Sequence, residues 1–215
     1  MTARSATCPN CGAAVAFRWA QAVQTSCDYC GSVLVRHDVD LVRVGSVAGV
    51  PPDSSPVQRG TEGRWRGRAF VVVGRIRYAY GRGRWSEWHL RFADGGGGWL
   101  SDAQLEWAVT EQVETPADLP PFAELRPGRR VRLAGADYTV AAATRARYDG
   151  VEGELPFYYW GKEEVPFVDL RTPDGRLATV DGSERPPLVF AGTFAGFGDL
   201  ALTGLRAFDG WPAPA

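Results

Sequence analysis

Apolar residues in this chain occur in short alternating runs that are separated by turn residues. The clearest run spans residues 85–113, WSEWHLRFADGGGGWLSDAQLEWAVTEQV. Side chains that alternate between two faces are typical of sheet strands, so we predict strands at residues 85–92, 99–100 and 105–109. The four successive glycines indicate a hairpin tip rather than a phosphate loop, because no Gly-Lys-Ser/Thr motif follows them.

A second stretch, residues 166–180, repeats this arrangement of alternating apolar residues, an Asp-Gly turn and further apolar residues. Other features recur in the same order, at an offset that grows from 68 residues (70 to 138) to 80 residues (90 to 170). The matched pairs are Phe70 with Tyr138, Val72 with Val140, Tyr78 with Tyr148, Leu90 with Leu170, and Asp94 with Asp174. A repeat of this kind indicates an internal duplication.

All four cysteines lie near the N-terminus as two C-x2-C pairs, Cys8 with Cys11 and Cys27 with Cys30. This spacing is typical of a zinc ribbon in which four thiolates bind one structural zinc ion. Such a site leaves no position open for water, so we expect the metal to stabilise the fold and not to catalyse. The residues alone leave open two disulfides, a redox C-x-x-C pair, and an iron–sulfur or rubredoxin-like iron centre.

These patterns together predict a mainly β fold, with an N-terminal four-cysteine zinc ribbon followed by a duplicated small β-barrel or SH3-like sheet domain. Residues 50–58 are rich in Pro and Ser and indicate a linker. The predicted organisation is a ribbon with a trailing strand at 1–44, a linker at 45–58, a first β unit at 59–120, a second β unit at 121–210 and a loose tail at 211–215.

Composition agrees with this fold class and excludes few functions. The 215 residues include 26 Gly, 15 Pro and 8 Trp but a single Met, which favours a turn-rich β protein. The formal net charge of -1 gives no overall attraction to nucleic acid or to anionic membranes. No apolar run approaches the roughly 20 residues that span a bilayer, and the N-terminus lacks the apolar segment of a secretory signal. We therefore expect a cytoplasmic protein without a transmembrane segment.

Charge is distributed unevenly along the chain. Residues 59–91 contain nine arginines and two glutamates, whereas residues 92–125 contain seven acidic residues and no Lys or Arg. On a strand, Arg64, Arg66 and Arg68 would share one face. Two interpretations stay open: a basic face that binds single-stranded nucleic acid or an acidic partner, or a solvated face that the acidic stretch neutralises, which we favour.

A candidate binding surface combines this basic face with two groups of aromatic residues. Its members are Arg64, Arg66, Arg68, Trp85, Glu87, Trp88, Tyr158, Tyr159 and Trp160. The aromatic cluster at residues 155–160 has a second interpretation as sheet core, because large aromatic residues in β proteins are more often core than site.

Resemblance to a known family is carried by WSEWHL at residues 85–90, GWL at 98–100, EW at 106–107 and EQV at 111–113. These letters resemble the repeat of a bacterial family catalogued as domain of unknown function 4178. Its members often begin with a C-P-x-C-G zinc ribbon, as Cys8 to Gly12 do here, and carry two copies of the β unit. The second copy departs from the repeat, since FVDL at 167–170 stands where a W-x-E-aromatic motif would be. The resemblance implies an accessory role and no established activity.

Three functions follow as hypotheses, and no catalytic residue is predicted, because the sequence has no nucleophile motif, dinucleotide motif or phosphate loop. The first is a non-enzymatic adaptor or accessory binding module of a bacterial multi-protein system, with unidentified protein partners. The second is a nucleic-acid-binding protein that uses the ribbon and the arginine-rich face. The third, a small-molecule enzyme, requires a deep pocket lined by Glu87 or Glu106 with raised carboxyl pKa values.

Overall fold

The computed structural model describes residues 4–37, 40–46, 54–103, 106–158 and 163–209. Within these residues the chain forms fifteen β-strands, two short 3-10 turns and no α-helix. The predicted mainly β fold class is therefore confirmed. No helix in this part of the chain is long and apolar enough to cross a membrane.

The cysteine-containing region forms two small antiparallel sheets, β1-β2 and β3-β4-β5. The strands are β1 (Arg4–Thr7), β2 (Ala14–Phe17), β3 (Gln24–Ser26), β4 (Ser32–His37) and β5 (Asp40–Ser46). Phe17, Trp19 and Leu34 pack with the cysteines in one small core. The predicted trailing strand is thus the third strand of the second sheet.

The other ten strands form a single antiparallel sheet. They are β6 (Glu62–Trp65), β7 (Arg68–Tyr80), β8 (Gly83–Phe92), β9 (Gly97–Ala103), β10 (Glu106–Val113), β11 (Arg130–Leu133), β12 (Ala136–Gly153), β13 (Val165–Arg171), β14 (Arg176–Asp181) and β15 (Leu188–Ala195). Their order is β11-β12-β13-β14-β15-β10-β9-β8-β7-β6. Because β7 also pairs with β12, the strands β7–β10 and β12–β15 close into a ring of eight.

Strands β6–β10 and β11–β15 follow the same order in the two halves of this sheet. The halves meet at two seams, where β10 pairs with β15 and β7 pairs with β12. In each half, a two-residue turn with positive φ joins the first two strands: Arg66 and Gly67 in one, Ala134 and Gly135 in the other. The two predicted β units therefore share one closed sheet.

Each half carries an apolar cluster on the outer face of the ring. In the first half, Trp88, Leu90 and Phe92 of β8 are completely buried. In the second half, Leu170 of β13 and Val180 of β14 are completely buried. Strand alternation therefore places these side chains outside the ring and leaves the intervening positions facing its interior.

The seam between β10 and β15 gives a test of ring closure. Gly192 lies opposite Thr110, and an added Cβ would overlap the Val109 carbonyl oxygen. We expect Gly192→Ala to lower the free energy of unfolding by about 1–3 kcal/mol, because the backbone of the seam must shift. Urea denaturation measures this change, with Gly81→Ala as the control because a Cβ there meets nothing within 4 Å. Equal unfolding free energies for Gly192→Ala and Gly81→Ala would contradict the pairing of β10 with β15.

Candidate functional site

The four cysteines lie together at one end of the ribbon region. The Sγ atoms of Cys8 and Cys30 are 3.8 Å apart, and those of Cys11 and Cys27 are 3.7 Å apart. All four sulfurs lie within 4.8 Å of one another and no disulfide joins them. Four thiolates around zinc, at about 2.3 Å each, have sulfur–sulfur distances of about 3.8 Å. The cluster is therefore able to bind a metal ion.

Two backbone turns of the same form present these sulfurs. The Gly12 N–H donates to the Cys8 carbonyl, and the Gly31 N–H donates to the Cys27 carbonyl, each at 2.9 Å. Both glycines have positive φ, 77° and 66°, which explains why glycine follows each C-x2-C pair. The two turns bring the four sulfur atoms around a common point.

The structure divides the predicted arginine face. Arg64 lies on β6, Arg66 lies in the turn, and Arg68 begins β7, so the predicted single strand face for the three residues is wrong. The physical reason is the two-residue turn at Arg66 and Gly67, which reverses the chain between the outer two arginines. Trp65 instead pairs directly with Arg68 across the hairpin.

Five of the nine arginines in this region form ion pairs within the described residues. The ion pairs are Arg59 with Asp28, Arg68 with Asp94 and Glu111, Arg75 with Glu152, and Arg77 and Arg84 with Asp149. Arg64, Arg66, Arg82 and Arg91 form no ion pair in the part of the chain that the structure describes. These contacts favour the solvated, internally compensated interpretation of the basic stretch.

The structure also separates the aromatic members of the candidate surface. Trp88 is completely buried in the outer apolar cluster, so it cannot be part of a surface. Trp85 and Glu87, on the other face of β8, line the interior of the ring. Tyr158 is 47% exposed. Tyr159 and Trp160 lie outside the described residues.

A cavity of about 350 Å³ lies inside the closed ring. All eight ring strands contribute inward-facing side chains to its wall. Its aromatic lining residues are Tyr78, Tyr80, Trp85, Trp99, Phe157, Phe167, Phe190 and Phe194. More exposed lining residues, Arg84, Glu106 and Arg171, mark its mouth. The pocket required by the third hypothesis, lined by Glu87 and Glu106, is therefore present.

Three acidic side chains line the cavity at partly or fully buried positions. Burial raises the pKa of Glu87 to about 8, only partly offset by a hydrogen bond from the Ser101 hydroxyl at 3.2 Å. Burial also raises the pKa of Asp169, which accepts a hydrogen bond from the Thr179 hydroxyl at 2.9 Å. The pKa of Asp181 is raised for the same reason. The interior of the ring is thus an environment that disfavours negative charge without a compensating cation.

At the mouth of the cavity, each lining arginine forms an ion pair with a carboxylate. Arg171 Nη2 lies 2.8 Å from Glu106 Oε2, and Arg84 Nε lies 2.8 Å from Asp149 Oδ2. These arginines therefore have carboxylate partners other than the buried acids.

The ribbon region docks on the ring through the segment that follows β12. The buried Glu154 carboxylate accepts the backbone N–H groups of Arg18 and Trp19 at 2.7 and 2.6 Å. Its carbonyl oxygen accepts a hydrogen bond from His89 Nδ1 at 2.9 Å, and burial lowers the pKa of His89 to about 4. Leu155 exchanges backbone hydrogen bonds with Val23 and Gln24. The two regions are therefore joined by hydrogen bonds and not only by the chain.

Sequence reasoning did not single out Asp169, Asp181 or Glu154. The alternation of side chains along a strand could have indicated Asp169. It lies two residues after Phe167 on β13, as Glu87 lies two residues after Trp85 on β8. No local signal could have indicated Glu154, because its partners are backbone groups 136 and 135 residues away.

Fold and site together define a β protein with a four-cysteine cluster that could hold a metal, docked on a closed sheet that surrounds a cavity. The chain belongs to the family described as Domain of unknown function (DUF4178), whose model matches residues 58–195. This match covers all ten strands of the large sheet and none of the cysteines. No curated protein and no solved structure matches the chain.

Glu87 is expected to make the stability of the protein depend on pH. Its pKa of about 8 in the folded state is above the ordinary value of 4.5, so proton binding favours folding. This stabilisation is fully present below about pH 4.5 and is lost as the pH rises through 8. We expect the unfolding free energy of Glu87→Gln, measured in urea, to fall less between these pH values than that of the unmodified protein.

Comparing the unmodified protein with Glu87→Gln separates the contribution of Glu87 to this pH dependence from that of the other buried acids. Asp102, Asp169 and Asp181 also have raised pKa values, so they produce a pH dependence of the same sign in both proteins. Parallel curves of unfolding free energy against pH for the two proteins would contradict the buried state of Glu87.

Proposed function

We propose that this protein binds a small molecule inside the closed ring of strands. The observation that carries the proposal is the enclosure of one cavity, of about 350 Å³, by inward-facing side chains from all eight ring strands. A closed sheet of eight strands has an interior that is either filled by its own side chains or able to hold one small ligand. A cavity of this volume lies within the range of small-molecule sites.

The chemistry of the cavity wall supports this function. Aromatic rings and a few polar groups share the wall, as in most ligand sites, where apolar surface supplies affinity and polar groups fix orientation. A buried carboxyl with a strongly raised pKa, such as Glu87, is more common at functional sites than elsewhere. The same features would serve an enzyme, but no reaction follows from them.

Filling the cavity tests the proposal. Ala108 is 1% exposed and lines the wall, so we expect Ala108→Phe to occupy the space of the ligand. A library of small molecules screened by native mass spectrometry and thermal shift is expected to give ligands that bind the unmodified protein and not this variant. Ala93→Phe, in the exposed turn after β8, is the matched control and should bind normally.

A second variant guards against misfolding of the first. Ala142→Phe places the same ring at a solvent-exposed position of the cavity wall, where overpacking of the core is avoided. The proposal fails if no library member binds the unmodified protein, or if folded wall variants bind as well as Ala93→Phe does.

We also propose that the four cysteines hold one structural zinc ion, as the spacing predicts. Four thiolates are a soft donor set that suits zinc or iron, and a closed set of four gives the metal a role in stability rather than in catalysis. Cys8, Cys11, Cys27 and Cys30 would bind it as thiolates. The metal would supply much of the stability of a region whose own core is small.

Metal analysis tests this second proposal. We expect about one zinc per chain in the purified protein and none in Cys27→Ser, which should also lose near-ultraviolet dichroism from the ribbon region. Ser5→Ala, exposed on β1, is the control and should keep its metal. Iron in place of zinc, or full zinc content in Cys27→Ser, would contradict the assignment.

The internal duplication predicted from sequence is supported by the arrangement of the large sheet. Both halves have the same strand order, and the turns at Gly95 and Gly175 have similar positive φ, 91° and 82°. These positions are 80 residues apart, the larger offset found in the sequence. The SH3-like character of each copy stays a prediction.

The adaptor role with protein partners, the nucleic-acid-binding alternative and the cytoplasmic location stay predictions. The exposed rings of Tyr29 and Tyr158, 83% and 47% exposed, are compatible with a partner surface. Ion pairs compensate five of the nine arginines of this stretch, which weakens the second alternative but leaves Arg64, Arg66 and Arg82 exposed and without an ion pair in the described residues.

A further inference from the structure

We propose that the cavity binds an organic cation, a small molecule that carries an ammonium group on an apolar and preferably aromatic body. This inference rests on the proposed function, because it names the class of ligand that the same cavity takes. It follows from the charges inside the ring, the rings that surround them and the partners of the nearby arginines.

Three acidic side chains line the interior of the ring, and within the described residues the lining cations are Arg84 and Arg171 at its mouth. Glu87 on β8, Asp169 on β13 and Asp181 on β14 line the cavity, and none forms an ion pair in the described part of the chain. Their hydrogen-bond partners are neutral: the Ser101 hydroxyl, the Thr179 hydroxyl and a backbone N–H. Buried carboxylates normally have a cationic partner, since an unpaired buried charge is costly. A ligand cation would supply this partner.

The nearby arginines form no ion pair with these acids, although the charge of Arg171 offsets part of the effect of burial on the pKa of Asp169. Arg171 faces Glu106 at 2.8 Å and Arg84 faces Asp149 at 2.8 Å, both at the mouth and both partly exposed. An anionic ligand would enter a cavity lined by three buried acids, where the cations that the described residues contribute to the wall, Arg84 and Arg171, are already paired. An anion would add a further buried negative charge that no unpaired lining cation compensates, so the cavity disfavours anions.

The aromatic wall favours the same class of ligand. Tyr78 and Trp85 are stacked, with ring centroids 4.8 Å apart, and Phe167 meets Tyr78 edge-on at 5.1 Å. Trp99 stacks on Phe157 at 5.8 Å. Faces of such rings attract cations, most strongly when water is excluded. Carboxyl groups beside aromatic rings therefore give the cavity two independent means of holding an ammonium group.

A neutral ligand is the competing interpretation. Because burial favours their protonated forms, the carboxyls could donate hydrogen bonds to a carbonyl or hydroxyl of an uncharged molecule. A bound cation would stabilise the ionised form of these carboxyls, whereas a neutral ligand would bind their protonated form. The cationic and the neutral interpretation therefore differ in how affinity depends on the charge of the ligand.

Three ligands of similar size and shape separate these interpretations. Phenethylammonium is a cation, 2-phenylethanol is neutral and 3-phenylpropanoate is an anion at pH 7.5. Calorimetric titration and quenching of tryptophan fluorescence measure their affinities for the full-length protein, since Trp85 and Trp99 line the cavity. We expect the cation to bind at least about tenfold more tightly than the neutral ligand, as a charge-assisted contact does, and the anion to bind least.

Variants then locate the charge that the ligand contacts. Glu87→Gln and Asp169→Asn keep the shape of each side chain and remove its charge, and we expect each to weaken cation binding by roughly tenfold to a hundredfold. Affinity for the neutral ligand should change little. Asp137→Asn, on an exposed position of β12, is the control for loss of one acidic charge and should bind normally.

These results test the cation assignment separately from the proposal that the cavity binds a small molecule. If 2-phenylethanol or 3-phenylpropanoate binds as tightly as phenethylammonium, the cavity binds small molecules but the cation assignment is wrong. The assignment is also wrong if Glu87→Gln and Asp169→Asn both bind the cation normally. Absence of binding by all three ligands at millimolar concentrations overturns the assignment as well, and the library screen on Ala108→Phe then judges the proposed function by itself.

Discussion

The pairing of β7 with β12 is the contact on which the rest of the structure depends. Without it the ten strands would be an open sheet, and the inner face would be exposed to solvent. Tyr78 and Tyr148 pair directly at this seam, and the Tyr78 ring contacts Trp85 and Phe167 on neighbouring strands. Aromatic burial of this kind stabilises strongly, so the seam is held by side chains as well as by backbone hydrogen bonds.

Closure also fixes where glycine is required. A Cβ on Gly74 would overlap the Glu154 carbonyl oxygen, and a Cβ on Gly153 would overlap the Val73 carbonyl oxygen. Both glycines lie where β7 and β12 end their pairing, opposite each other. The backbones can approach only because neither residue has a side chain. From this point the chain continues into Glu154, which binds the ribbon region.

The sequence predicted the local features well and the closed sheet poorly. Cysteine spacing, glycine turns and apolar alternation are local signals. They identified the metal-site candidate, the repeated order of features and the strands predicted at 85–92, 99–100 and 105–109, which correspond to β8, β9 and β10 except that residue 105 lies outside the described residues. The length of β12, from Ala136 to Gly153, has no local signal, because the strand is this long only through pairing in turn with β11, β13 and β7. Pairing between strands that are far apart in the sequence gives no signal within a short stretch of residues. The closed sheet, and therefore the cavity inside it, could not be predicted from the sequence. The assumption that Trp85, Glu87 and Trp88 share a surface failed for the same reason, since only closure decides which face of β8 is interior.

The chemistry of Glu87 and the position of the ribbon are two consequences of one closure. On an open sheet, Glu87 would be hydrated and ionised at neutral pH; inside the ring, it loses water and its pKa rises to about 8. The segment that completes closure, Gly153 to Leu155, is also the segment that hydrogen-bonds to Ser26, Trp19 and Gln24 of the ribbon region. Val33 of the ribbon packs in the same apolar cluster as Tyr78, Trp99 and Phe167, which line the cavity. A metal that stabilises the ribbon would therefore also stabilise the edge of the ring next to the cavity, which connects the cysteine cluster physically to the cavity.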